Sequence, residues 1–353
     1  MLTAAVIGCG RMGAEPSGRF DGLIPSGWLP VSHAESFMQA RNVNLVALAE
    51  INSERLEWAG KIYHINELFK NYNDLFKSIS PDIIGVATRT PDKLRILQDA
   101  CDCGVKGVYI EKPFANNLLD SRKILNKARD SSVIISYGVN RRYHLLYRQA
   151  RDLIRAGEIG DLIEIIIEFG ESPLLWSHPH SVDLIIFLSG QRPIAVQAEL
   201  VDSTVIRSCD GLIDSDPIVS YAQFWLDGGV RGLIIRGGGC NVRVNGTHGS
   251  LEILSDGASI QLRKSNSSQK GYFLLQQTIF PVVQRSATVV AIEALVANVN
   301  GELVENISND EIYFGMQMLW GCVFSHLQQG KKYLLAEMPD DLIITGRVGN
   351  VYA

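Results

Sequence analysis

An α/β domain on a doubly wound parallel sheet, followed by an α+β domain with an open, mostly antiparallel sheet and helices on one face, is the fold class that the sequence predicts. Three observations carry it. The first part of the chain alternates short apolar runs with helix-like stretches, the way buried parallel strands and crossover helices read. After Tyr143 that rhythm gives way to alternating strands separated by glycine turns, and two long helical stretches close the chain. The length, 353 residues, suffices for two such domains. We divide them at 1–139 and 140–353.

The first element is an apolar strand, Ala5-Val6-Ile7, that runs straight into Gly8-Cys9-Gly10-Arg11-Met12-Gly13. In this context Gly-x-Gly-x-x-Gly is a tight turn at a helix start. Its glycines let a pyrophosphate approach the backbone and let helix pack on strand. The N–H groups there hold phosphate without a cationic side chain. The pattern predicts dinucleotide binding by Gly8, Gly10, Arg11, Met12 and Gly13, with Cys9 merely a small side chain. Residues 43–50 form the second strand. Glu50, at its end, meets the adenosine ribose, and a carboxylate there repels a 2′-phosphate. No arginine follows in Ile51-Asn52-Ser53, so the expected cofactor is NAD in preference to NADP.

One interval is irregular. Gly13 and Glu50 stand 37 positions apart, where a simple βαβ unit has about 20. The excess is a Gly-, Pro- and Ser-rich stretch, 14–30, after which the first helix starts near Ser32 or His33 and runs to Gln39. We read 14–30 as an inserted loop. Its Arg19, Asp21 and Trp28 either cap the cofactor, touch the substrate or form an oligomer contact. Further strands follow at 82–88, 107–111 and 132–137, with helices at 53–63 and 92–103 between them. In the second part a helix at 145–156 stops at Gly157. Strands are expected at 162–169, 195–202, 219–226, 230–236, 241–244, 250–255 and 259–263, and helices at 287–298 and 309–329.

Composition narrows the function. Hydrophobic residues are 46% and charged residues 20%, the balance of a soluble globular protein. Net charge is −5 with no lysine or arginine run, which argues against nucleic acid or membrane surfaces as partners. No apolar run reaches the ~18 residues of a membrane span. The chain opens on a strand rather than a cleaved signal. Cys9, Cys101, Cys103, Cys209, Cys240 and Cys322 are scattered, and Cys101-Asp102-Cys103 has the wrong spacing for a redox or zinc pair. Reduced thiols, a cytoplasmic location and no metal site are the expectation.

The chemistry centres on Glu111-Lys112-Pro113, which ends a buried strand where open α/β sheets bind ligands. An amine there can take a proton from, or give one to, a substrate oxygen. Partial burial or a cationic nicotinamide lowers its pKa toward neutrality.

With these residues in view, the sequence resembles the glucose–fructose oxidoreductase, inositol dehydrogenase and MocA (Gfo/Idh/MocA) family. The glycine turn, the acidic end of the second strand, Thr90-Pro91 and above all Glu111-Lys112-Pro113 carry the likeness. Asn140-Arg141-Arg142-Tyr143, Ala156-Gly157-Glu158-Ile159-Gly160, His180-Ser181-Val182-Asp183 and Asn245-Gly246-Thr247-His248-Gly249 follow in the family's order. The resemblance implies a Rossmann domain, an open-sheet domain buried between subunits, and hydride transfer between NAD(P) and a sugar, sugar derivative or cyclitol.

It also implies site residues. Lys112 is the proton-transfer group, with a lysine–proline bond that is often cis. His180 shares proton transfer, and Asp183, one turn on, either orients the imidazole or contacts substrate. Thr88, Arg89 and Thr90 lie against the nicotinamide ribose; Arg89 meets a phosphate or acidic substrate, or stays on the surface. Glu111 and Asn140 border the cofactor. Arg142 faces the cleft or forms a structural ion pair. Trp176 and His178, placed just before the His180 helix, complete the substrate side. Two positions depart from the family: Trp176 stands where many members have aspartate, and Arg95 where many have histidine. Tyr221, Phe224 or Trp225, if they project from the open sheet, call for a homodimer or homotetramer. A glycoside hydrolase using NAD on the same fold, a non-catalytic NAD(P) sensor and a structural oligomer subunit are the rival readings.

Overall fold

The computed structural model describes residues 1–353 except 26, 209–210, 267–268, 282–284 and 347–353, so Cys209 lies outside the described residues. Six parallel strands form the first sheet: β1 (Leu2–Ile7), β2 (Val43–Ala49), β3 (Glu67–Phe69), β4 (Ile83–Val86), β5 (Gly107–Ile110) and β6 (Ile134–Tyr137). Their order is β3-β2-β1-β4-β5-β6, and it reverses between β1 and β4. The strand ends beside that reversal open the crevice in which such sheets bind ligands. Every residue of β4 and β5 is buried, which is why those runs are continuously apolar. Helices α1 (His33–Gln39), α2 (Ser53–Tyr63), α3 (Tyr72–Ser78), α4 (Thr90–Asp102) and α5 (Leu118–Asp130) connect the strands.

The long interval before Glu50 has a local explanation. Residues 10–14 make one helical turn, closed by Ala14 N–H on the Gly10 carbonyl at 2.9 Å. His33 and Ala34 then donate to the carbonyls of Met12 and Gly13, each at 2.8 Å. The helix resumes at His33 where it was left, and residues 15–32 are looped out between its turns. This insertion ties the two halves of the chain together. Trp28, 8% exposed, stacks on His144 at 4.7 Å and donates its indole N–H to the Asp256 carbonyl at 3.0 Å. Ala287 N–H donates to the Gly27 carbonyl at 2.9 Å. Trp28 is therefore packed inside the chain, between its two halves.

The second part comprises α6 (Leu145–Arg155), β7 (Leu162–Glu168), β8 (Ser172–Pro173), α7 (Leu174–Ser189), β9 (Pro193–Leu200), β10 (Ile218–Leu226), β11 (Arg231–Ile234), β12 (Asn241–Gly246), β13 (Gly249–Leu254), β14 (Ser259–Asn266), β15 (Gln269–Ile279), α8 (Ala287–Val299), α9 (Asn309–Leu327) and β16 (Tyr333–Leu334). Its sheet runs β15-β14-β13-β12-β7-β11-β10-β9-β16, with β8 beside β10, and only β7 and β11 pair in parallel. Helices α6, α7 and α9 cover one face. Helix α8 instead packs on the first sheet, so closely that a Cβ on Gly107 would stand 2.8 Å from Val299. No helix among the described residues is long and apolar enough to cross a membrane, and no cluster of His, Cys, Asp or Glu there could hold a metal ion.

Besides the short strands β3, β8 and β16, which are too brief to leave a pattern, three details differ from the sequence reading. Helix α7 starts at Leu174, with Pro179 inside it, so Trp176, Ser177 and His178 are helical rather than part of a lead-in. The proline removes one donor, the N–H that would have met the Leu175 carbonyl. Strand β15 was not anticipated, because Tyr272-Phe273-Leu274-Leu275 breaks the alternation of a half-buried strand. Strand parity also separates the aromatics of β10: Phe224 is fully buried, while Tyr221 and Trp225 lie on the opposite face. The Trp225 ring is flanked there by Arg231 and Lys332, at 5.3 and 4.0 Å.

Candidate active site

The glycine turn is built for close backbone approach. Gly8 has φ +90°, and the Ala87 backbone lies 2.9 Å from where its Cβ would be. A Cβ on Gly13 would stand 1.8 Å from the Gly8 carbonyl oxygen. Neither position has room for a side chain, and the loop after β4, with Thr88 in it, is thereby pressed against the turn. Among the described residues, the backbone N–H groups of Gly10, Arg11, Met12 and Gly13 have no protein acceptor. Four unpaired donors at a helix start fit a pyrophosphate. Glu50 accepts from Cys9 N–H at 2.8 Å and from Asn52 N–H at 3.0 Å, which fixes its carboxylate beside the turn. Burial, with the Glu50 charge, pushes the Cys9 thiol up to about 12, so it stays protonated. Arg89 is exposed and caps α4, whose first residue is Thr90.

Lys112 leaves the end of β5 through a cis bond to Pro113. Its ammonium donates to the Trp176 carbonyl at 2.9 Å and sits 3.8 Å from the centre of the Trp176 ring. The Arg11 guanidinium lies on the same indole at 5.1 Å. Trp176, brought over by α7, thus spans the glycine turn and the Lys112 amine. Burial lowers the Lys112 pKa to about 8, with Arg11 and Arg141 adding to the effect and Glu111 and Asp216 opposing it. Glu111 is buried and bonded to His33 Nε2 at 3.2 Å. Burial pushes its carboxyl upward, but the His33 bond and the Lys112 and Lys93 charges hold it below the ordinary carboxylate range.

His180 stands one helical turn after Trp176, on the same side of α7. Its Nδ1 is buried without a hydrogen-bond partner among the described residues. Burial, then the Arg141 and Lys112 charges, hold its pKa well below 6.5, so the imidazole is neutral. The Lys112 charge acts on His180, which puts the two side chains in one neighbourhood.

The structure assigns four other residues elsewhere. Asp183 does not orient His180; its carboxylate takes Arg142 in a buried fork, with Nη2 to Oδ1 at 2.6 Å and Nε to Oδ1 and Oδ2 at 3.0 and 3.1 Å. Arg142, 4% exposed, also bonds Glu311 at 3.2 Å, so the ion-pair alternative holds and the cleft-facing one does not. His178 is fully buried and bonds Ser181 at 3.0 Å, so it is closed to substrate. Asn140 accepts from Tyr109 at 2.7 Å and donates to Thr288 at 2.9 Å, which makes it a clamp between β5 and α8.

Sequence reasoning missed three contributors. Arg141, not Arg142, is the arginine at the cleft, held by a fork to Asp256 at 2.8 Å on both arms and laid over Trp28 and Phe169. Asp216, buried, accepts from Leu175 N–H at 2.7 Å and faces Lys112 from the second part of the chain. Lys93 lies beneath the Lys112 segment. Only Lys93 carried a signal: a lysine in the buried stripe of α4 with Ile96, Leu97 and Ala100.

Residues 22–139 match the model of the Gfo/Idh/MocA family, an oxidoreductase family with an NAD-binding Rossmann fold. Among curated proteins, the chain is 26% identical over 141 residues to myo-inositol 2-dehydrogenase of Thermotoga maritima, covering 39% of this chain and 41% of that protein. It is 27% identical over 143 residues to D-apiose dehydrogenase of Paraburkholderia graminis, covering 40% and 38%. The match therefore spans about two fifths of the length of these relatives. The rhizopine catabolism protein MocA of Rhizobium meliloti is 25% identical over 253 residues, 65% of this chain and 77% of that one. Among solved structures, levoglucosan dehydrogenase in complex with NADH and levoglucosan has the same fold, with a TM-score of 0.74 at 17% identity over 95% of this chain and all of that one. An Agrobacterium radiobacter oxidoreductase in complex with NAD+, L-tartaric acid and magnesium gives 0.73 at 14% identity over 96% and 99%. Over its first domain the chain is thus similar to the Gfo/Idh/MocA oxidoreductase family, and over nearly its whole length it shares the fold of solved oxidoreductases.

Proposed function

We propose that the protein is an NAD-dependent dehydrogenase that interconverts an alcohol and a carbonyl on a sugar, sugar derivative or cyclitol. The observation that carries this reading is the Lys112 amine, lowered to about 8 and separated from the glycine turn by one indole. NAD, when bound, supplies the hydride acceptor. The N–H groups of residues 10–13 hold its pyrophosphate, Glu50 its adenosine ribose, and Thr88, Arg89 and Thr90 border the nicotinamide side. Lys112 takes the proton of the substrate hydroxyl in oxidation and returns it in reduction. Neutral His180 hydrogen-bonds the same oxygen or a neighbouring hydroxyl, and the Trp176 ring offers an apolar face to the C–H side of a sugar. Holding the carbon beside the hydride acceptor supplies much of the rate, which is the task of the cleft between the two domains.

We further infer a preference for NAD over NADP, from the carboxylate of Glu50. Assembly into a dimer or tetramer through the open sheet is supported by Tyr221 and Trp225 on its outer face. A cytoplasmic location accords with the free thiols of Cys9, Cys101, Cys103, Cys240 and Cys322.

Incubation with NAD and a panel of aldoses, polyols and cyclitols tests the reading. Steady NADH growth on at least one compound is the expected result. Release of an aglycone from a glycoside without NADH growth would favour the hydrolase, and tight NAD binding with neither would favour the sensor. Glu50→Ala should weaken NAD far more than NADP; equal losses would refute the preference.

A further inference from the structure

Lys93 has no part in the chemistry above, yet its placement is unusual. It sits in the first turns of α4, 1% exposed, in the stripe that otherwise buries Ile96, Leu97 and Ala100. Its ammonium donates to the Pro113 carbonyl at 2.6 Å and to the Glu111 carbonyl. These are the carbonyls on either side of residue 112. The nearby Glu111 carboxylate is bonded to His33, and among the described residues both bonds of the buried ammonium go to backbone carbonyls. A methionine would fill the same space without the cost of desolvating a charge. What the lysine does that a methionine cannot is grip two backbone oxygens that accept from no other donor among the described residues.

We propose that Lys93 is a positioning residue for Lys112: by gripping the chain immediately before and after residue 112, it fixes where the Lys112 amine stands under Trp176. The surroundings of the two amines are compatible with this role. Lys112 is faced by Glu111 from its own strand end, Asp216 from ahead of β10, Arg11 from the glycine turn, Arg141 from the domain junction and His180 from α7. Lys93 is faced by Glu111 and Lys112, and burial lowers its pKa to about 7. The two amines sit on opposite sides of one short segment, and each discourages protonation of the other.

The inference rests on the proton-transfer role proposed for Lys112, and one experiment separates the two. Reductive methylation with 13C-formaldehyde labels the reachable amines for NMR, and the Lys112 signal is the one missing from Lys112→Arg. In the wild-type protein we expect it to titrate near 8, with a second inflection near 7 as Lys93 loses its proton. In Lys93→Met we expect the Lys112 midpoint to rise toward the roughly 10.4 of a free lysine, because the amine is released from its buried position into water. Turnover on a panel sugar at pH 8 should fall at least about tenfold, with NAD affinity within about twofold of wild type. Lys93→Gln, which keeps a two-hydrogen donor without the charge, should recover part of the turnover. A folded Lys93 variant with the Lys112 midpoint still near 8 and unchanged turnover overturns the proposal. A single-step wild-type curve also counts against it, and that measurement stands even if neither variant folds. A midpoint that rises in Lys93→Met, in a protein whose wild type turns over no panel sugar, upholds the positioning role and refutes the dehydrogenase reading.

Discussion

Asp183→Asn separates a chemical role for this carboxylate from a structural one. Asp183 and Arg142 are 4% exposed each and share three contacts between 2.6 and 3.1 Å. Removing one partner of such a buried pair costs about 3–5 kcal/mol, because the other charge stays buried without it. Here Glu311 remains on the guanidinium at 3.2 Å, with its side chain 27% exposed to water. We therefore expect the lower end, about 3 kcal/mol, which for a domain of this size lowers the midpoint of thermal unfolding by roughly 6–12 °C. Burial pushes the Asp183 carboxyl up to about 6, so urea unfolding is best followed at pH 8, where the pair is ionised. The double variant Arg142→Met/Asp183→Leu should recover most of the loss, since exchanging both charges for apolar groups is often near neutral. A loss below about 1 kcal/mol together with abolished turnover would refute the reasoning and return Asp183 to the chemistry.

Two further outcomes follow. The kcat/KM for alcohol oxidation should rise with pH through about 8 and level off above it, because Lys112 accepts a proton only when neutral. Carbonyl reduction should fall over the same window, and no step should appear between pH 6 and 7, because His180 is already neutral there; an oxidation limb near pH 10 would contradict this. Trp28→Ala should cost about 3 kcal/mol in urea unfolding, from a large buried ring and one hydrogen bond, and a loss under about 1 kcal/mol would show that the insertion does not tie the domains together.

The parts of the site that the sequence made legible are those built from contiguous residues. The glycine turn and Glu111-Lys112-Pro113 each follow an apolar strand, and a parallel sheet brings such strand ends to one crevice. What stayed hidden depends on which way neighbouring side chains point. Arg141 and Arg142 are adjacent in one tight turn, Asn140–Tyr143, yet one turns to the cleft with Asp256 and the other into the core with Asp183. Asp183 is three residues after His180, close enough in register to suggest a pair, but the buried guanidinium outcompetes a neutral imidazole for the carboxylate. Asp216 reaches Lys112 from a loop over a hundred positions away, a juxtaposition that no local pattern encodes. The insertion at 14–30 could be located by spacing alone. Its docking on His144 and Asp256 could not, because the partners belong to the other domain.

The central claim is that the Lys112 amine moves the substrate proton while the glycine turn holds the cofactor independently of it. Lys112→Ala, examined by NAD titration and by turnover on the same sugar, tests both halves at once. The account predicts an NAD affinity within about twofold of wild type and turnover reduced by roughly 10²–10⁴. Turnover close to wild type, or NAD binding lost along with it, would contradict the account.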